Sequence, residues 1–170
     1  MLVGFMCAGK SSVGRVLARR LGWAFVDLDR LVEEREGRTV AEIFAREGEA
    51  AFRRAEAAAS DAVASWSRMV LAPGGGWALN AARTAPPAPG TLSVWLRVSP
   101  EEVVRRGASA PGTRPLLAGA DPLAAARRLL AEREPAYTRA DVVVDTEGRT
   151  PEEVAAEVEH AVCSPRGPVP

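Results

Sequence analysis

Apolar positions along the chain follow two recurring patterns, short continuous runs and longer stretches with helical spacing. In the last helical stretch, for example, Val154, Val158 and Val162 recur at four-residue intervals and would form one apolar face. Strands that alternate with helices indicate an α/β protein with a parallel, doubly wound sheet. The short runs predict strands at 1–3, 23–27, 69–72, 92–98 and 141–145.

Residues typical of helix ends bound the helical stretches. Gly22 follows the first predicted helix, and Thr39 with Glu42 three residues later forms a capping-box pattern. Gly48 interrupts a long alanine-rich stretch, and Pro151 occupies the first turn of the last helix. The predicted helices are 10–20, a segment near 29, 39–65 with its interruption, 100–106, 121–134 and one that begins at 151.

A chain of 170 residues suits a single domain, which we place at 1–163. The segment 107–113 is small, polar and punctuated by glycine and proline, so we expect a mobile lid at about 107–118. The proline-rich tail at 164–170 is expected to be disordered.

Charge and cysteine content narrow the function classes. Basic and acidic residues number 22 each, and this balance argues against nucleic acid held by bulk electrostatics. No apolar run approaches the roughly 18 residues of a membrane span. The two cysteines, Cys7 and Cys163, are too few for a disulfide framework. We therefore expect a cytoplasmic protein that binds neither nucleic acid nor membrane. We also expect a monomer.

The segment Gly4–Ser11 matches the phosphate-binding pattern G-x-x-x-x-G-K-[ST] at every position, between a predicted strand and a predicted helix. Backbone N–H groups and a helix N-terminus in such a loop bind phosphate oxygens. Lys10 is the only lysine, since the other 21 basic residues are arginine, and its ammonium suits the β- and γ-phosphates. The Ser11 hydroxyl is a typical ligand of Mg²⁺, so ATP and Mg²⁺ are the expected nucleotide and metal.

Candidates for the other substrate follow the second and third strands. Asp27 and Asp29 lie where ligands of open α/β sheets bind, although either could instead cap a helix. Arg53 and Glu56 have the spacing of a helical ion pair, which is also typical of a solvated charged face. Three glycines, Gly74–Gly76, directly after a strand would expose backbone N–H groups at the sheet edge.

Six motifs follow one another along the chain: the P-loop, Asp27-Leu28-Asp29, Phe52-Arg53-Arg54-Ala55-Glu56, the three glycines, Arg114-Pro115-Leu116-Leu117 and Arg133-Glu134-Pro135-Ala136-Tyr137. Taken in this order, they resemble the shikimate kinases over about residues 1–160. The resemblance implies a P-loop nucleoside-monophosphate-kinase type of fold, with a five-stranded parallel sheet, helices on both faces and a mobile lid. It also implies transfer of the ATP γ-phosphoryl group to the 3-hydroxyl of shikimate, giving shikimate 3-phosphate and ADP, in chorismate and aromatic amino acid biosynthesis.

The same resemblance implies roles on the nucleotide side. Ser11 would ligate Mg²⁺, with Asp27 near the metal, and Arg114 would reach the transferring phosphate from the lid. Arg106 and Pro151 would enclose the adenine, with Arg149 beside them. The residues implied to surround the phosphates are Cys7, Ala8, Gly9, Lys10, Ser11 and Ser12.

On the acceptor side, the resemblance implies that Asp29 binds shikimate hydroxyls and accepts the proton of the attacking one. Arg53 and Arg133 would bind the shikimate carboxylate, and Gly75 would donate a backbone hydrogen bond, flanked by Gly74 and Gly76. Lys10, Asp29 and Arg114 are thus the expected catalytic residues. Trp77, directly after the glycines, is placed to line the acceptor pocket, although core packing is the usual role of such a residue.

Two alternatives stay open at this point. Cys7 stands where the resembled family usually has glycine, and the first strand is short. Both features would suit a nucleotide-binding relative with little catalysis that acts as a regulator or interaction module. Another P-loop kinase of small molecules, of the gluconate or nucleotide type, is the second alternative. Such an enzyme would lack the glycines after the third strand and the paired arginines.

Overall fold

A computed structural model describes residues 1–79, 89–108 and 121–164. The described strands are β1 (Leu2–Val3), β2 (Ala24–Asp27), β3 (Met69–Ala72), β4 (Val94–Arg97) and β5 (Val142–Asp145). The described helices are α1 (Lys10–Leu21), α2 (Leu28–Glu36), α3 (Val40–Val63), α4 (Pro100–Ala108), α5 (Pro122–Tyr137) and α6 (Pro151–Cys163). A short 3₁₀ helix, Trp77–Leu79, follows the glycines after β3.

All pairings among the described strands are parallel, and this confirms the α/β fold. β2 pairs with β3, while β4 pairs with β1 on one side and β5 on the other. β1 also lies against β3, so the strands are arranged in the order 2-3-1-4-5. Within the described residues, hydrogen bonds join them as ladders of three and two strands rather than as one five-stranded ladder. β1 spans only two residues, too few to complete a ladder on both of its edges.

The helices pack in pairs around these strands. α1 packs against α6 and the strands β2 and β3, and α6 also covers β5. α2 packs on α3, and α4 packs on α5. Apolar residues from the strands and from these helices form one continuous core. The parallel strands therefore end together at one edge, where the loops that follow β1, β2 and β3 meet.

The expected helix starts are found to within one residue, whereas some ends differ: α3 ends at Val63 instead of 65, and α4 continues to Ala108 instead of ending at 106. Thr39 and Glu42 form the capping box at the start of α3, and Gly48 has a left-handed φ of 79° inside that helix. We predicted that α5 ends at residue 134, but it continues through Pro135 to Tyr137. Burial of Tyr137, which is 1% exposed, offsets the backbone hydrogen bond that Pro135 lacks.

Two sequence-based expectations fall largely outside the described residues. The expected lid at about 107–118 overlaps the described part only at its first two residues, which complete α4. Of the tail, only Ser164 is described. None of the helices in the described part of the chain could span a membrane.

Candidate active site

The P-loop connects β1 to α1 and needs its two glycines for different reasons. Gly4 has a φ of 143°, and a Cβ there would lie 2.5 Å from the Leu96 carbonyl oxygen. Gly9 caps α1 with a left-handed φ of 88°. Cys7 also has a positive φ, 60°, which is a backbone conformation that glycine adopts more easily. The loop thus has the form of a phosphate cradle that ends at a helix N-terminus.

The charged and hydroxyl groups of the loop are held in place by short contacts. The Lys10 ammonium donates to the carbonyl oxygens of Gly4 and Phe5, both at 2.9 Å. The Ser11 hydroxyl donates to Asp27 Oδ2 at 2.6 Å. Ser11 and Asp27 thereby bring two hard oxygen ligands together beside the loop, and this donor set fits Mg²⁺.

A cleft of about 710 Å³ lies against the P-loop, and the predicted nucleotide-side residues of the described chain line it, with the exception of Asp27. Arg106, Arg149 and Pro151 line it together with Gly75. The residues of the P-loop and of the first turn of α1 that line it are Met6, Cys7, Ala8, Gly9, Lys10, Ser11, Ser12 and Val13. Its size suits a nucleotide.

Arg106 contacts the P-loop directly, a role that our sequence reasoning missed. Its guanidinium donates to the Cys7 carbonyl at 3.0 Å, to the Thr146 carbonyl at 2.7 Å and to Glu102 Oε1 at 2.7 Å. Hydrogen bonds from Arg105 and Arg106 lower the pKa of Glu102 to about 2. The i, i+4 spacing of Glu102 and Arg106 was the only sequence signal for this network.

Arg149 lies at the rim of the cleft, where it connects β5 to α6. It donates to the Asp145 carbonyl at 3.0 Å, to Glu157 Oε2 at 2.7 Å and to the Glu153 carbonyl at 3.1 Å. Three protein acceptors therefore orient the guanidinium. Pro151, two residues later, is the first residue of α6.

The three glycines after β3, here called the glycine loop (Gly74–Gly76), contact the predicted acceptor residues one by one. A Cβ on the first glycine would lie 2.8 Å from Asp29 Oδ1, and on the second 3.3 Å from Arg133 Nη1. On the third it would lie 2.5 Å from Arg53 Nη2. The structure thus brings together residues from α2, α3 and α5 around bare backbone, and any larger residue would intrude on them.

Asp29, in the first turn of α2, is a buried carboxyl group beside other charges. Its Oδ1 has no hydrogen-bond partner among the described residues. Burial raises its pKa, the nearby Asp27 raises it further, and Lys10 and Arg53 oppose the change. An unpartnered buried oxygen with a raised pKa suits a group that accepts a hydrogen bond or a proton from a bound hydroxyl.

The two arginines are oriented by different neighbours. Arg53 donates to Glu56 Oε2 at 2.9 Å and to Glu49 Oε1 at 3.0 Å, and the Glu56 side chain is fully buried. Arg133 lies over the Phe5 ring, 5.3 Å from its centroid. Fixed guanidinium groups are suited to a carboxylate, which they can bind through two parallel hydrogen bonds.

Some predicted residues are not part of this cluster. Arg114 lies outside the described residues. Trp77 does not line the acceptor side: it is 4% exposed, belongs to the core and faces a cavity with Trp66 and Leu92. Core packing therefore accounts for Trp77, as it does for most tryptophans.

A methyl group at the third glycine provides a direct test of this arrangement. Gly76→Ala is expected to displace the Arg53 guanidinium, because the new Cβ would lie 2.5 Å from Nη2. The guanidinium is the end of a flexible side chain and can move away, so we expect little loss of thermal stability. We expect about a tenfold loss of acceptor affinity, the effect of one charge-assisted contact. Acceptor KM and melting temperature measured on the same preparation check both parts, and an unchanged KM would contradict the contact.

The fold, the P-loop and the cluster around the glycine loop are those of a P-loop kinase of a small molecule. A family model described as shikimate kinase matches residues 6–163. A shikimate kinase of Moorella thermoacetica is 46% identical over 162 residues, which cover 95% of this chain and 92% of the relative. One of Gloeobacter violaceus is 47% identical over 150 residues, which cover 88% and 84%.

Solved structures agree. The shikimate kinase of Acinetobacter baumannii, in complex with shikimate, matches with a TM-score of 0.86 and 33% identity over 95% of this chain and 90% of that one. The enzyme of Bacteroides thetaiotaomicron matches with a TM-score of 0.80 and 32% identity over 95% of each chain. The chain belongs to the shikimate kinase family. It is an ATP-dependent kinase that phosphorylates shikimate in aromatic amino acid biosynthesis, and the two alternative functions are set aside.

Proposed function

We propose that the cleft beside the P-loop and the cluster around the glycine loop are the two halves of the active site. In this site the γ-phosphoryl group of ATP passes to the 3-hydroxyl of shikimate. The observation that carries the proposal is the position of Gly75. It lines the P-loop cleft, and its Cβ position lies 3.3 Å from both Arg133 Nη1 and the Met6 backbone nitrogen. A phosphate on the loop and an anion on Arg133 would therefore be neighbours.

On the donor side, backbone N–H groups from Cys7 to Ser12 bind the phosphates at the N-terminus of α1. Lys10 neutralises charge on the β- and γ-phosphates. Arg106 and Pro151 enclose the adenine, with Arg149 at the rim. Arg114 contributes positive charge to the transferring group from a lid at about 107–118, whose closure excludes water.

Mg²⁺ is the expected metal, because Ser11 and Asp27 place hydroxyl and carboxylate oxygens 2.6 Å apart at the edge of the loop. These two residues would hold the ion, Asp27 through water. The ion supplies positive charge that offsets the charge of the phosphate oxygens.

On the acceptor side, Arg53 and Arg133 bind the shikimate carboxylate, and the backbone of Gly74–Gly76 lets the ring approach closely. Asp29 accepts hydrogen bonds from shikimate hydroxyls and takes the proton of the attacking one. Because phosphoryl transfer depends on positioning and charge, these contacts set the line of attack.

We further propose a monomeric, cytoplasmic enzyme with one domain at 1–163 and no nucleic acid or membrane partner. The equal numbers of basic and acidic residues, 22 each, support the absence of a polyanion partner.

Acceptor-dependent release of ADP tests the substrate. We expect release with shikimate and little or none with quinate, gluconate or a nucleoside monophosphate. A preference for gluconate or a nucleotide would overturn the assignment of the acceptor. Release of ADP at the same low rate with and without every acceptor would overturn the assignment of a transferase.

Removing either predicted carboxylate-binding arginine should separate the two halves of the site. Arg53→Ala and Arg133→Ala each lose a charge-assisted contact worth roughly 1.5–3 kcal/mol. The shikimate KM is therefore expected to rise at least about tenfold, with the ATP KM within about threefold. The exposed Arg54, next to Arg53, and the exposed Arg128, on the same helix as Arg133, provide matched alanine controls. If the variants lose ATP affinity and retain shikimate affinity, the division into donor and acceptor sides is wrong.

A further inference from the structure

Tyr137 is the single tyrosine of the chain and has no role in the site described so far. It is the last residue of α5, one helical turn after Arg133. The side chain is 1% exposed, and its ring packs against Trp95 with centroids 5.9 Å apart. A buried phenol on the same helix face as a substrate-binding arginine raises the question of what its hydroxyl does.

The hydroxyl of Tyr137 donates to the carbonyl oxygen of Gly75, 62 residues earlier in the chain. The Gly74 carbonyl accepts a hydrogen bond from Trp77 N at 3.0 Å. The Gly76 carbonyl accepts one from Leu79 N at 3.1 Å. All three carbonyls of the loop are thus fixed. By contrast, the backbone N–H groups of Gly75 and Gly76 have no acceptor among the described residues.

Because the Gly75 carbonyl belongs to the same peptide unit as the Gly76 N–H, fixing one also fixes the other. No described peptide bond is cis, so the C=O of Gly75 and the N–H of Gly76 point in opposite directions. A hydrogen bond that holds the Gly75 oxygen therefore also sets the direction of the next N–H group. Arg133 Nη1 lies 3.3 Å from the Cβ position of Gly75. One helix thus carries both an arginine beside the loop and the residue that holds the loop.

The phenol remains a donor at the pH of metabolism. Burial raises the pKa of Tyr137 to about 12, and the opposing effect of the nearby Arg133 guanidinium is smaller. The proton therefore stays on the oxygen and in the hydrogen bond to Gly75.

We propose that Tyr137 is a positioning residue of the acceptor site, which holds the Gly75 carbonyl so that the N–H groups of the glycine loop and the Arg133 guanidinium bind the acceptor together. The inference rests on the proposed function, since it concerns the residues proposed to bind shikimate. It adds a residue that acts through the backbone and does not itself touch the acceptor.

Tyr137→Phe removes only the hydroxyl and keeps the packing against Trp95. We expect the shikimate KM to rise about three- to tenfold, the effect of one lost neutral hydrogen bond, with the ATP KM within about twofold. Leu129→Ala, on the same helix and in the core, is the control for general loosening. It is expected to lower the melting temperature at least as much and to leave the shikimate KM unchanged. A Tyr137→Phe enzyme with a shikimate KM within twofold of wild type would overturn the proposal.

A second measurement uses the wild-type chain and does not depend on the variant folding. Because there is one tyrosine, protein labelled with [¹³Cζ]-tyrosine gives a single phenol resonance. Shikimate is expected to shift it with a midpoint near the KM, because a carboxylate on Arg133 changes the charge beside the hydroxyl, whereas ADP alone should not. If shikimate leaves the chemical shift of this resonance unchanged, the proposal is contradicted. Wild type without shikimate-dependent ADP release would overturn both proposals, and an active wild type matched by Tyr137→Phe overturns only this one.

Discussion

Lys10→Ala is expected to lower kcat at least about 100-fold, the effect of removing a preorganised charge from the transition state. The ammonium lies over the P-loop, 2.9 Å from the carbonyl oxygens of Gly4 and Phe5, and this fixes its position before any phosphate binds. Lys10 is the only lysine in the chain. Among the described residues, no second lysine can therefore replace it from a neighbouring position.

Lys10→Arg is also expected to lower kcat strongly, although it keeps the positive charge. A planar guanidinium directs its donors in a fixed fork, whereas the loop surrounds a compact ammonium. Arg19→Lys, on the exposed face of α1, controls for exchange of the two residue types and should retain full activity. Steady-state kcat with saturating ATP and shikimate is the measurement. A Lys10→Arg enzyme that turns over near the wild-type rate would refute the role of Lys10 in the phosphate loop.

The P-loop could be predicted from the sequence because its structure is local. Gly4 and Gly9 carry backbone angles that few other residues adopt, and both lie within one continuous motif. The order of strands and helices could be predicted for the same reason, since the spacing of apolar residues within each segment indicates a strand or a helix. The capping box at Thr39 was confirmed for the same reason.

The acceptor side could be predicted only as a set of residues. Asp29, Arg53 and Arg133 come from three different helices, and nothing in their spacing says that each contacts a particular residue of the glycine loop. The resemblance to a family supplied that grouping. The distances between their atoms follow from packing, which a pattern along the chain does not contain.

What the sequence did not indicate depends on contacts between distant residues. Arg106 reaches Thr146, 40 residues away, and Tyr137 reaches Gly75, 62 residues away. The extension of α5 through Pro135 is a tertiary effect too, because local propensity ends a helix there. The division of the strands into two ladders depends on the length of β1, a boundary that apolar patterns define poorly.

Asp29→Asn is expected to lower the rate of phosphoryl transfer by about 10²–10⁴, the range for loss of a general base. The substitution keeps the size and one acceptor oxygen, so binding of shikimate hydroxyls should largely survive. A loose transition state needs little early proton removal, which favours the lower end of this range. Single-turnover transfer at saturating ATP and shikimate separates the chemical step from binding. Asp61→Asn, an exposed carboxyl on α3, is the matched control and should have no effect.

The pH dependence of that step follows from the pKa of Asp29. Burial, and then the neighbouring Asp27, raise this pKa above the usual range of an aspartate. A base must be deprotonated to act, so the rate should rise with pH through this raised pKa. The acidic limb should therefore lie at higher pH than an exposed aspartate would give. In Asp29→Asn that limb is expected to disappear, and a limb that persists unchanged would assign it to another group.

Thermal stability distinguishes loss of the base from loss of the fold. A carboxyl whose pKa is raised by folding binds its proton more tightly in the native state than in the unfolded state. Its contribution to stability therefore falls as the pH rises through the interval between those two pKa values. Above that interval the ionised Asp29 costs the fold stability, and Asp29→Asn should there melt at the same or a higher temperature than wild type. A slower enzyme that is at least as stable would identify Asp29 as the base. A stable variant with a rate within threefold of wild type would reduce Asp29 to a binding residue, with the proton passing to solvent or to the phosphate itself.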